Sequence, residues 1–146
     1  MATYVTTVNN LSNLPNLGIL NLVVNHITSI DLSGCANLTD FSILNNQLTS
    51  IDLSDSPLLT SINVGSNPNL ASVTLPTLSF CAYFSAFGGS LPTSVVNSIF
   101  VNLANQGTTG GFVELAGGSN GIPDGAGLSA ALYLQGDAGW SVSYNT

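Results

Sequence analysis

Apolar residues in the first half of this chain follow one spacing that occurs three times. In each unit, a leucine is followed three and five positions later by two further apolar residues, and eight positions later by asparagine. The units begin 21 residues apart, at Leu17, Leu38 and Leu59. Short alternation of apolar and polar positions is typical of a strand with one buried side. We therefore predict one short strand per unit, with its middle apolar residue facing inward: Leu20, Phe41 and Ile62.

The other half of each unit repeats this spacing, so that apolar groups recur every 10 or 11 residues. Such short segments leave no room for a long helix. We predict a mostly β fold with some α structure: a flattened solenoid of about three 21-residue coils, with strands or extended segments on both sides. Buried polar or small residues at the turns can satisfy backbone groups that the turns leave unpaired. They should stack as a structural ladder made of Asn25, Cys35, Asn46, Ser56 and Asn67.

The region after Leu78 loses the spacing and shows mixed signals. Apolar residues recur at helical spacing between Pro92 and Gly107, which predicts a helix there. Residues 112–115 and 140–144 alternate like strands, and residues 117–125 form a glycine-rich loop. A second helix, ending at Gly136, is marked by Leu128, Ala131 and Leu132. Together these elements predict a small α/β cap over the open end of the repeats.

Two stretches of the chain resemble a known family. The repeat pattern LxxLxLxxN resembles the leucine-rich-repeat signature. The tail contains the helix LPTSVVNSIFVNL, a short strand, a proline-containing loop and a closing GWSV, and it resembles the C-terminal module of leucine-rich-repeat proteins of bacteria and tailed phages. The resemblance implies an extracellular or virion-surface unit without catalytic residues. We expect one cooperative domain, with a cap or arm over residues 1–16, repeats over 17–77 and the α/β cap over 78–146.

The charge balance narrows the classes of partner. The chain has no Lys or Arg and a formal net charge of −7. Without cations it cannot replace the counterions of nucleic-acid phosphates, so we predict no nucleic-acid partner. No apolar run is long enough to predict membrane insertion. The missing cations suit a closely packed assembly or life outside cells, and compositional drift is the alternative explanation.

The start of the chain does not look like a secretory signal. We interpret this in two ways. Either a signal has already been removed, or the protein leaves its cell by another route, such as particle assembly and lysis.

Few residues are candidates for chemistry. Cys35 and Cys81 lie too far apart along the stack for a disulfide, and we predict two buried free thiols. The only histidine, His26, sits at a turn without a catalytic partner, so we predict no enzyme and no cofactor. Asp31 and Asp52 should stack on adjacent coils, which makes them candidates for calcium. Two solvated carboxylates are the simpler alternative.

Outward-facing residues of the main strands form the candidate interaction face. They offer amides, a hydroxyl and small apolar groups: Asn21, Val23, Ser42, Leu44 and Asn63. These rows contain no aromatic platform, which weakens the case for a glycan. Ordinary solvent-facing positions are the alternative interpretation.

These observations lead to two hypotheses about function. The first is a non-enzymatic structural protein on a virion, such as a capsid decoration or a tail or fibre protein, which packs against other proteins in a larger assembly or a homo-oligomer. The second is a secreted or cell-surface bacterial adhesion module that binds a glycan or a host protein. Both place the protein on a virion surface or outside the cell.

Overall fold

The computed structural model describes residues 3–146 as a small α/β protein. A parallel sheet of six strands has the order β1-β2-β4-β6-β7-β8, and a second parallel sheet contains β3 and β5. The first five strands are β1 (Ile19–Asn21), β2 (Asp40–Ser42), β3 (Ser50–Asp52), β4 (Ser61–Asn63) and β5 (Ser72–Thr74). The later elements are β6 (Tyr83–Ser85), α1 (Thr93–Asn105), β7 (Phe112–Leu115), α2 (Gly125–Gln135) and β8 (Ser141–Tyr144).

The register of the main sheet follows the sequence repeat. Leu20 pairs with Phe41, and Phe41 pairs with Ile62, so equivalent residues of successive repeats are neighbours. The same inward row continues through Phe84, Val113 and Val142. Phe41, Ile62 and Phe84 are fully buried, whereas Leu20 at the edge of the sheet is only partly buried. The predicted inward orientation of the middle apolar residue is therefore confirmed.

The opposite side of the repeats combines two paired strands with extended segments. Among residues 3–146, β3 pairs with β5 there, and Ile30 makes an isolated bridge to Val8. Strands are short because each repeat turns again after three residues. With its six-stranded parallel sheet and the two helices α1 and α2, the described part of the chain is a small α/β protein.

The region after residue 78 continues the main sheet. Strands β6, β7 and β8 extend it in parallel register, with α1 and α2 crossing between them. The predicted boundary at residue 78 is therefore not a break in the sheet. Both helices form where predicted, and α1 buries apolar residues that recur at helical spacing: Val96, Ile99, Phe100 and Leu103.

Helix α2 buries only one of the three residues that mark it in the sequence. Its buried residues are Gly127, Ala131 and Leu134, while Leu132 is 55% exposed. Gly127 is required because a Cβ there would overlap the side chain of Asn97 in α1. The two helices can approach closely because Gly127 has no side chain. The spacing of apolar residues alone does not predict this contact.

Each repeat changes direction at a residue in the left-handed backbone region. These residues directly precede the asparagines of the repeats: Val24 (φ 56°), Asn45 (φ 59°) and Ser66 (φ 50°). Asparagine tolerates this conformation, whereas a β-branched residue rarely adopts it. Val24 therefore carries local backbone strain that its equivalent Asn45 avoids.

Candidate functional site

The asparagines predicted as a ladder bridge successive repeats by hydrogen bonds. The backbone N–H of Leu48 donates to Asn67 Oδ1 at 2.9 Å. Asn67 Nδ2 donates to the carbonyls of Ile43 at 3.2 Å and Val64 at 3.0 Å. Asn46 makes the equivalent bonds one repeat earlier, to Ile27 N–H and the carbonyls of Leu22 and Ile43. These side chains satisfy buried backbone groups, which is a structural role.

Asn25 occupies the first rung and is less enclosed. Its Oδ1 accepts from Val5 N–H at 2.9 Å, in the segment that precedes the repeats. Its Nδ2 donates within its own turn, to Leu22 and Val23. Asn46 and Asn67 are 4% and 0% exposed, whereas Asn25 is partly exposed. The three residues are all asparagines, so their different exposure follows from their position in the stack of repeats.

Asn120 plays the same part as the ladder asparagines, although the sequence did not predict it. Asn120 Oδ1 accepts from Leu91 N–H, and its Nδ2 donates to the carbonyls of Ala86 and Leu115, each at 2.9 Å. These partners are equivalent to those of Asn67. The residue lies in the glycine-rich loop, and its spacing from the preceding strand differs from that in the repeats. The signal available in the sequence was a lone asparagine after the strand FVEL.

The remaining ladder residues lie on the opposite side. Ser56 Oγ donates to the carbonyl of Cys35 at 3.1 Å, so the two predicted positions are neighbours. Cys35 Sγ contacts the carbonyl of Leu11 at 3.9 Å. Both cysteines are buried free thiols, as predicted. Burial raises the pKa of Cys81 to about 12, and burial together with the negative charge of Asp31 raises the pKa of Cys35.

Asp31 and Asp52 lie beside a shallow cavity of about 100 Å³, which Asp55 also lines. Each carboxylate accepts a 2.9 Å hydrogen bond from the backbone N–H two residues later, at Ser33 and Ser54. Those hydrogen bonds lower the pKa of both Asp side chains. Within residues 3–146, no three His, Cys, Asp or Glu side chains converge as a metal site would require.

His26 is exposed and stacks on Tyr4, with ring centroids 4.2 Å apart. Its backbone N–H donates to the carbonyl of Val5. These contacts tie the N-terminal segment to the first repeat.

A line of polar residues crosses all six strands of the main sheet, although one member, Ser85, is fully buried and donates its hydroxyl to Glu114 Oε2 at 3.4 Å. We call it the polar row, and it consists of Asn21, Ser42, Asn63, Ser85, Glu114 and Ser143. Six strands at a spacing of ~4.8 Å give the row a length of about 24 Å. Three of the five predicted face residues, Asn21, Ser42 and Asn63, are its first members. The structure therefore doubles the length of the face that the repeats alone suggested.

Several groups along the polar row remain free to bind a ligand. Asn21 Oδ1 and Asn63 Oδ1 accept from backbone N–H groups two residues later, at 3.3 and 3.2 Å. Their Nδ2 groups have no acceptor among the described residues. Beside the first strands, a cavity of about 260 Å³ is bordered by Asn21, Asp40 and Ser61. Amide donors thus alternate with hydroxyl and carboxylate groups.

Apolar residues flank the polar row on both sides. Tyr83 and Phe112 stack on one side, with ring centroids 5.3 Å apart and planes 8° apart. On the other side, Val23 and Leu44 continue toward Phe87, whose ring fills the space above Gly65 that a Cβ would occupy. The outward rows of the three repeats contain no aromatic residue, and the aromatic area of this face lies beyond them. The aromatic residues belong to strands β6 and β7, which the repeat pattern did not assign to this sheet.

The chain was compared with protein-family models, curated proteins and solved structures, and none of the three comparisons found a match. Among residues 3–146, no helix combines the length and the apolar character needed to cross a membrane.

Proposed function

We propose that the chain is a leucine-rich-repeat solenoid that acts as a non-enzymatic structural and protein-interaction module on the surface of a virion. The 21-residue strand register, the asparagine rungs and the paired segments on the second side support this fold. In this view the helix-backed strands β6 to β8 extend the solenoid by wider coils and close it at the C-terminal end.

The polar row with its apolar flanks is the observation that carries the interaction role. Short strands pointing the same way present a long, nearly continuous surface to solvent. Side chains on this surface are held by a rigid sheet, which lowers the entropy that binding must overcome. The face has hydrogen-bonding groups and aromatic area but no cation, so its partner is recognised by shape and hydrogen bonds.

Mass spectrometry of purified particles tests the virion assignment. The polypeptide is expected in particles at a stoichiometry that remains constant after density-gradient purification and high-salt washing. A peptide present in the lysate but removed by purification would overturn the virion role.

A second candidate function is a secreted or cell-surface bacterial adhesion module that binds a glycan, with a host protein as the other partner class. The stacked pair of Tyr83 and Phe112 favours the glycan, because aromatic rings pack against the apolar faces of sugars. The free amide groups of Asn21 and Asn63 suit sugar hydroxyls. A sugar unit is about as long as the ~4.8 Å strand spacing, so a linear chain could follow the polar row.

Glycan-array binding with matched variants tests this candidate. Tyr83→Ala and Asn63→Ala are expected to weaken binding by about tenfold or more, since each removes a contact from the face. Phe80→Ala is the control, because Phe80 is 65% exposed and lies outside the polar row and its flanks. If the unchanged protein binds a glycan and all three variants bind it equally well, this face is not the binding site.

A further inference from the structure

The first repeat leaves one end of the sheet open. Strand β1 lies at the edge of the main sheet, and β2 is its only partner strand among residues 3–146. Leu17 and Leu20 are partly exposed there, although their equivalents Leu38 and Phe41 are buried. Ile19 is 69% exposed and Leu14 is 49% exposed. An unpaired strand edge beside aliphatic side chains is a surface suited to pairing with another strand.

The residues that form this end carry no carboxylate, although two carboxylates adjoin it. Residues 3–30 contain no Asp or Glu, but Asp31 follows them directly and Asp40 of β2 pairs with Ile19. The opposite end of the molecule carries three acidic residues: Glu114, Asp124 and Asp137. Because the chain has no Lys or Arg, a second copy cannot neutralise these acidic groups with cations. Two copies with net charge −7 repel one another least where the surfaces that meet are uncharged. A cationic partner would instead be attracted to the acidic remainder.

We propose that the N-terminal end, formed by Leu14, Leu17, Ile19 and Leu20, is a self-association surface whose occupant is a second copy of this chain. Across a two-fold axis, the two β1 strands pair antiparallel and join their sheets. The same residues face each other from both copies, which is the condition for a closed dimer. The partly exposed leucines of both first repeats then become buried against one another. This inference concerns a different surface from the polar row, so neither depends on the other.

Sedimentation velocity over a range of protein concentrations tests the proposal. The unchanged chain is expected to shift from a 14.9 kDa monomer to a dimer as concentration rises. Ile19→Asp and Leu14→Asp place two like charges across the axis and are expected to weaken association by about tenfold or more. Both residues are exposed, so the monomer fold should persist, and circular dichroism checks this.

Leu132→Asp is the matched control, since it adds the same charge at a 55% exposed leucine on α2. It is expected to leave dimerisation unchanged. A chain that stays monomeric at the highest concentration would overturn the proposal. So would a dimer lost with Leu132→Asp but kept with Ile19→Asp, or a series of growing oligomers, which indicates head-to-tail contacts.

Discussion

The first repeat and the two that follow contain nearly the same residues in different surroundings. Leu17 and Leu38 occupy the same position, yet only Leu38 is fully buried. Asn25 and Asn67 make analogous hydrogen bonds, yet only Asn67 is enclosed on both sides. In a stack, a residue is buried by its neighbouring repeats and not by its own. The contribution of a residue to the free energy of unfolding should therefore depend on whether its repeat lies at the end or in the interior of the stack.

The largest expected effect comes from truncating the same leucine in two repeats. Leu38→Ala should lower the free energy of unfolding by about 3 kcal/mol, because it opens a cavity in a closed core. Leu17→Ala should cost about half as much or less, since Leu17 is partly exposed. Urea unfolding at low protein concentration, where the chain is monomeric, measures both. Equal losses would show that the first repeat is as tightly packed as the second.

A smaller contrast is expected between the asparagine rungs. Asn67→Ala leaves the N–H of Leu48 and the carbonyl of Val64 buried without partners, at a cost of about 2–3 kcal/mol. Asn25→Ala releases groups that water can reach, so about 1 kcal/mol or less is expected. Thermal unfolding of the two variants gives the comparison. A loss for Asn25→Ala as large as that for Asn67→Ala would mean that the N-terminal segment encloses the first rung fully.

A reciprocal exchange tests the strain at Val24. Val24→Asn should stabilise the fold by about 1 kcal/mol, because asparagine adopts the left-handed conformation more readily. Asn45→Val, one repeat later, should destabilise it by a similar amount. Chemical unfolding measures both changes. If Val24→Asn has no effect while Asn45→Val is costly, the turn of the first repeat adapts freely and stores no strain.

The smallest expected contrast concerns Asp31 and Asp52, which are both exposed. Hydrogen bonds from Ser33 and Ser54 lower the pKa of each carboxyl in the folded state. A carboxyl whose pKa is lower in the folded than in the unfolded state stabilises the fold at any pH above its unfolded pKa of about 3.9. This stabilisation is lost as the pH falls through the folded pKa. An NMR titration should find both pKa values depressed to a similar degree. If the pKa is depressed at Asp52 but not at Asp31, the position of the repeat in the stack also affects exposed side chains.

The repeats and their burial could be predicted from sequence because the spacing is short and regular. The inward row through Leu20, Phe41 and Ile62 follows directly from alternation. The extension of the sheet through β6 to β8 could not be predicted in the same way, because the intervening helices shift the spacing of equivalent residues. The aromatic pair of Tyr83 and Phe112 was missed for this reason, since the two residues lie 29 positions apart and meet only through the register.

The candidate face was predicted in part. Asn21, Ser42 and Asn63 were placed by the repeat, whereas Ser85, Glu114 and Ser143 required strand pairing. The packing of α2 also escaped prediction, because Gly127 determines it by lacking a side chain. Patterns of apolar residues report which positions are buried, but they say little about which surfaces touch.

The number of residues between equivalent positions of the main sheet varies along the chain. It is 21 from Leu20 to Phe41, 22 from Ile62 to Phe84, and 29 from Phe84 to Val113. Strand pairing remains in register because the added residues lie outside the strands, most of them where a helix replaces an extended segment. Repeats can therefore differ in length behind the sheet without changing the outward face of the sheet. Loop or helix grafts for engineering belong on that reverse side.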